Sequence, residues 1–107
     1  MKKAKEEVLK IKIAISLCKL LEKRKVTFVF QEEDIAKSYN KIALEADIRK
    51  ATVSDTFNGL TMPNFSTLIL IIESMGFKLD DFSEIYYSIN EKEISEFMSK
   101  TNKTPNF

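Results

Sequence analysis

Ile42-Ala43-Leu44-Glu45-Ala46-Asp47-Ile48-Arg49-Lys50-Ala51-Thr52-Val53-Ser54-Asp55-Thr56-Phe57-Asn58-Gly59 is the stretch whose reading decides the fold. It divides at Asp47-Ile48 into two short helical patterns. Two such helices joined by a tight turn need a small residue where they cross, and Ala43 supplies it. They also need apolar anchors on both sides of the turn, and Ile42, Ile48 and Val53 stand there. The turn itself wants a residue that tolerates positive φ, which Asp47 does less easily than glycine. Asn58-Gly59 ends the second pattern, with Gly59 free to take the left-handed position after the helix. A pair built this way pushes its second helix, about residues 49–57, outward from the globule.

Working outward, Ser38 reads as the cap of the first helix of the pair, whose inward residues are Ile42, Ala43 and Ala46. Gln31-Glu32-Glu33-Asp34-Ile35-Ala36 also resembles a helix start, but it lies about two helical turns too far from Asn58-Gly59 and is set aside. Val26-Thr27-Phe28-Val29-Phe30 is β-branched and aromatic, which predicts a short extended segment. Upstream, residues 4–24 carry Val8, Ile11, Ile15 and Cys18, together with Leu9, Ile13, Leu17, Leu20 and Leu21, at three- and four-residue spacings. That wide apolar stripe predicts a long helix touching more than one neighbour.

Downstream, Thr61 to Asn64 is a turn. Phe65 to Met75 is so apolar that it is expected to be the most buried helix, stopped by Gly76. Asp80 reads as the cap of a helix with Phe82, Ile85 and Tyr86. Asn90 with Glu93 resembles a capping box for a last helix bearing Ile94, Phe97 and Met98. Thr101 to Phe107 is polar and expected to fray.

Composition narrows the class. The chain has 107 residues, 44% hydrophobic and 31% charged, with two glycines and two prolines. One largely helical domain fits, and turn-rich β architecture does not. Histidine is absent and Cys18 is the single cysteine, so zinc clusters and Cys/His or Ser/His pairs cannot be built. Glycine-rich phosphate loops are missing too, and Asp80/Asp81 and Glu32/Glu33 read as dipole partners rather than acid/base couples. The expectation is therefore no enzyme and no cofactor. Cys18, among Ile15, Leu17 and Leu21, reads as a buried structural thiol. No stretch suits a membrane span or a secretory signal, which predicts a cytoplasmic protein without a membrane partner.

Net charge is +1, but it is unevenly spread. Residues 1–25 carry nine Lys/Arg against three Glu, residues 26–60 four against six acids, and residues 61–107 four against seven. One basic face could turn toward phosphate. From charge alone, a solvated lysine-rich helix is the plainer reading.

The residues resemble the Cro/phage-repressor type of helix-turn-helix, often called XRE-like. The pattern runs through Ile42-Ala43, Asp47-Ile48, Thr52-Val53-Ser54 and Asn58-Gly59. It continues into Met62-Pro63-Asn64-Phe65-Ser66-Thr67-Leu68 and Met75-Gly76-Phe77-Lys78-Leu79-Asp80-Asp81-Phe82, covering roughly residues 38–88. The resemblance implies an all-α, five-helix, lambda-repressor-like domain over 1–88. Residues 89–107 would add a C-terminal helix and a frayed tail, and a long connection would join the first two helices.

It further implies a prokaryotic transcriptional regulator that reads double-stranded DNA with the helix at about 49–57. Lys50, Ala51, Thr52 and Asp55 would face base edges, Lys50 suiting guanine O6/N7 and Asp55 accepting from cytosine N4. Ser38, Tyr39, Arg49, Asn58 and Thr61 would touch the DNA backbone, the first two at a helix start. Val53 would be core. Three positions depart from the family pattern, which has Ser or Thr at Arg49, Glu at Phe57 and often a basic residue at Leu60. The alternative is an antitoxin or other protein-interaction module that uses the same fold to bind a partner such as a toxin. Ile94, Phe97 and Met98 offer a homodimer contact, since a last helix beyond five has little core left to cover. The late aromatics Phe82, Tyr86, Tyr87 and Phe97 read as completing the core.

Overall fold

In the computed structural model of the protein, residues 2–24 and 32–100 are described. Among them there are six helices and no strand. These are α1 (Lys2–Arg24), α2 (Glu32–Ala46), α3 (Lys50–Phe57), α4 (Phe65–Ser74), α5 (Leu79–Ser88) and α6 (Glu91–Lys100). The fold is all-α. The expected extended segment at Val26–Phe30 and the expected tail from Thr101 lie outside the described residues.

Three of the helices stop for one shared reason. After α2, α3 and α4 comes a residue in the left-handed region: Asp47 at φ 59°, Gly59 at 72° and Gly76 at 86°. In each case the next N–H folds back to a carbonyl five residues earlier. Ile48 N–H donates to Ala43 (3.0 Å), Leu60 to Asp55 (2.9 Å) and Phe77 to Ile72 (3.2 Å). These are Schellman endings, which satisfy carbonyls that would otherwise lack partners. Asp47 is the one residue other than glycine at positive φ among the described residues.

The main core gathers Leu17, Leu20 and Leu21 of α1, Ile42 and Ala43 of α2, and Val53 and Phe57 of α3. Ile71, Ile72, Met75 and Phe82 close it from the far side. A second, smaller cluster packs Ile11 and Ile15 of α1 with Ile89, and Ile94, Phe97 and Met98 of α6 lie against it. Helix α1 therefore touches α3, α5 and α6, as its wide stripe predicts. No buried side-chain nitrogen or oxygen among the described residues lacks a hydrogen-bond partner.

Several expectations are corrected. Helix α2 begins at Glu32, not at Ser38, so the two candidate starts belong to one helix and the α1–α2 connection shrinks to residues 25–31. The reason is that no glycine or proline interrupts residues 32–46, so nothing stops the helix from running through Ser38. Helix α4 is not the most buried. Ile71 and Ile72 are sealed, but Phe65 and Leu70 are exposed, while α1 hides Ile11, Ala14, Leu17 and Leu20 completely.

Asp80 does not cap α5. Lys78 holds the cap position, and Asp81 Oδ2 reaches back to accept its N–H at 2.8 Å. At α6 the capping box forms as the sequence predicts. Glu93 N–H donates to Asn90 Oδ1 (2.9 Å), and Asn90 N–H donates to Glu93 Oε1 (3.2 Å). Tyr87 does not complete the core, being 81% exposed.

Candidate nucleic-acid interface

Residues 47–49 turn the chain between α2 and α3. Asp47 supplies the left-handed step, and Ile48 packs half-buried on the main core. Arg49 is then extended (φ −74°, ψ 143°) as the residue that precedes α3. Its carbonyl accepts the first helical N–H, from Val53 at 3.2 Å. Arginine has no acceptor for N-capping, and no side chain caps α3.

Helix α3 has eight residues, about two turns. Val53, Thr56 and Phe57 face inward and are buried. Thr56 Oγ1 donates to the Thr52 carbonyl at 2.7 Å, which lets a hydroxyl sit in the core without an unmet bond. The Phe57 ring meets the Tyr39 ring of α2 at 4.9 Å, and the Phe57 carbonyl accepts the Cys18 thiol at 3.6 Å. Burial pushes the Cys18 thiol up to about 12, with the Glu22 carboxylate adding to it, so this sulfur is inert packing. Burial also raises the Tyr39 phenol, and Cys18 adds to that. Phe57 is the pin between α3, α2 and α1.

Away from these residues α3 is more open, with Ala51 opposite the buried face and Lys50 exposed by its place in the first turn. Lys50 and Ala51 are exposed, and Thr52, Ser54, Asp55 and Asn58 are half-buried along the same helix. Of the expected base-facing residues, Lys50 and Ala51 stand freest, and Thr52 and Asp55 are both half-buried. Ser54 was not among them, although its spacing of three from Ala51 and four from Asn58 marks the same strip.

The expected backbone contacts fare unequally. Arg49 and Thr61 are exposed. Asn58 is partly committed, its side-chain amide donating to the Ser54 carbonyl (2.8 Å) and hydroxyl (3.4 Å). Ser38 and Tyr39 are corrected. They sit inside α2 rather than at its start, Ser38 is buried and Tyr39 is half-buried against Phe57. Backbone N–H groups in a helix interior are already bonded and cannot greet a phosphate.

The charges around this strip nearly cancel, with Arg49 and Lys50 against Asp47 and Asp55. Among the described residues no group of three or more His, Cys, Asp or Glu could hold a metal ion. No helix among them is long and apolar enough to cross a membrane. Comparison with protein-family models, with curated proteins and with solved structures gives no match for this chain.

Proposed function

We propose that the chain is a sequence-specific DNA-binding transcriptional regulator that lays α3 in the major groove. One observation carries the reading. Helix α3 is fastened to the core by Val53, Thr56 and Phe57, while Lys50 and Ala51 face open solvent at its first turn. A short helix held from behind, with a cation and a small residue leading, suits entry into a groove about 12 Å wide. Lys50 then donates to a guanine edge, Asp55 accepts from a cytosine amine, and Arg49 and Thr61 meet phosphates on either side.

Selection of binding sites from random double-stranded DNA tests this directly. A regulator enriches one short sequence, and the Lys50→Ala and Asp55→Ala proteins lose preference at separate base pairs. No enriched sequence, or an unchanged one in both variants, refutes it.

A second reading, a protein-binding module such as an antitoxin, is favoured by apolar residues close in sequence to α3. Leu44 is 83% exposed, Leu60 53% and Met62 43%. Charge balance along the strip points the same way, because phosphate affinity grows with the number of cations. In that reading Leu44→Asp and Leu60→Asp abolish partner binding, while Lys50→Ala does not.

A further inference from the structure

A pocket of about 220 Å³ opens between the end of α1 and the middle of α2. Leu21, Ser38 and Ile42 supply its buried lining. Arg24, Lys37 and Lys41 stand around it, all exposed. The two lysines lie one turn apart on α2 and share a face, where like charges destabilise a helix slightly. A bound anion would remove that cost.

No carboxylate answers these three cations among the described residues. The ion pairs there join Lys10 to Glu7 and Lys19 to Glu93. Glu22 belongs to a different hollow, against α6. Glu45, one turn beyond Lys41, and Glu73, next to Ser74, are exposed and outside the pocket's lining.

The guanidinium of Arg24 is already oriented, because its Nη1 donates to the Ser74 carbonyl of α4 at 3.2 Å. An arginine has five N–H donors in a planar fork, so others remain to meet two oxygens of one phosphate. The lysines add point charges that adjust to the ligand. Lys23 and Arg24, in the last turn of α1, counter the partial negative charge of that helix end.

We propose that this pocket binds a small molecule through a terminal phosphate group. Charge and size select that class. A terminal phosphate carries about 1.5–2 negative charges at neutral pH, whereas each phosphate of a nucleic-acid backbone carries one. Three converging cations match the former better. Pockets for drug-sized ligands measure about 300–1,000 Å³, so this one suits a phosphate with only a few further atoms. No residue of α3 is in the described lining, and the inference rests on neither reading of that helix.

Amide shifts of the full chain, followed by NMR at constant ionic strength and pH 7.5, test it without DNA. Inorganic phosphate and glycerol phosphate should each move the Ser38 and Lys41 signals to saturation. Dimethyl phosphate, a singly charged diester, should bind at least about tenfold more weakly. Arg24→Gln, Lys37→Gln and Lys41→Gln should each weaken phosphate binding about threefold to tenfold, and Lys37→Glu with Lys41→Glu should abolish it. Lys92→Gln, on α6, should leave it unchanged. All these side chains are exposed, so unaltered helical circular dichroism is expected throughout. Failure of phosphate to saturate by about 10 mM overturns the proposal. So does equal binding of dimethyl phosphate, or binding that the three single variants leave intact. Variants that keep phosphate binding yet lose affinity for duplex DNA would make the pocket a backbone contact and overturn it equally.

Discussion

The ring of Tyr39 lies 4.9 Å from the ring of Phe57, tilted by 39°, and joins the middle of α2 to the last turn of α3. With Phe57 only 1% exposed, the orientation of the outward strip depends on this contact. Phe57→Ala removes a sealed ring from between three helices and should destabilise the protein by about 3–5 kcal/mol. Urea denaturation followed by circular dichroism measures this. A loss below about 1 kcal/mol would show that α3 is held by something else.

Asp47 carries the left-handed step of the turn at φ 59°. A β-branched residue fits that conformation worst, so Asp47→Val should lower stability by about 1–2 kcal/mol. Asp47→Gly should be neutral or slightly stabilising, as the folded strain relieved is offset by a more flexible unfolded chain. Thermal melts of the three proteins, compared side by side, decide it by their order.

If α3 reads DNA, Lys50 and Arg49 should fail differently. Lys50→Ala should cost about 1–3 kcal/mol and relax preference at one base pair. Arg49→Ala should weaken binding to all sequences alike and make the log–log salt slope shallower by about 1. Titrations at several salt concentrations separate the two, and identical behaviour of the variants would remove the assigned roles.

Glu93 links α6 to α1 through an ion pair with Lys19 while closing the α6 capping box. The hydrogen bond from Lys19, then that from the Asn90 backbone, holds its carboxyl below the ordinary value of 4.5. The folded state thus favours the ionised form, so the stabilisation is complete above that ordinary value. It fades as pH falls through the lowered one. Exposed pairs of this kind contribute at most about 1 kcal/mol. Melting temperatures of wild type and Glu93→Gln should therefore differ at pH 7 and converge in acid. A gap that persists in acid would place the effect elsewhere.

Cys18, with its thiol raised to about 12, should resist alkylation in the folded protein. At pH 8 far less of it is thiolate than of an ordinary cysteine. Rapid labelling under native conditions, followed by mass spectrometry, would contradict the burial described.

What could be read from the sequence was decided by single residues with strong local chemistry. Asp47 and Gly59 announce left-handed positions, Gly76 a helix stop, and Asn90 with Glu93 a reciprocal cap. All four appear as expected. The start of α2 was harder because Ser38 and the acidic run at 32–34 both imitate caps. The single stripe of Ile35, Tyr39, Ile42 and Ala46, at spacings of four, three and four, argues for one helix.

Ser38 and Tyr39 sit inside α2 because the helix starts at Glu32, so the helix-start geometry expected of them is absent. Ala51 is legible as solvent-facing because Val53 and Phe57 fix the helix phase, whereas Lys50 shares their stripe and is exposed through its place in the first turn. Nothing local could reveal that Phe65 and Tyr87 stay wet while Ile94, Phe97 and Met98 find cover. Which apolar face is used depends on how distant helices meet.

Because α6 shelters Ile11 and Ile15, the last helix behaves as a sheath on the first. A chain shortened to end at Ser88 would bare a greasy flank about one turn long. Such a fragment would tend to clump in water even if its remaining helices closed normally.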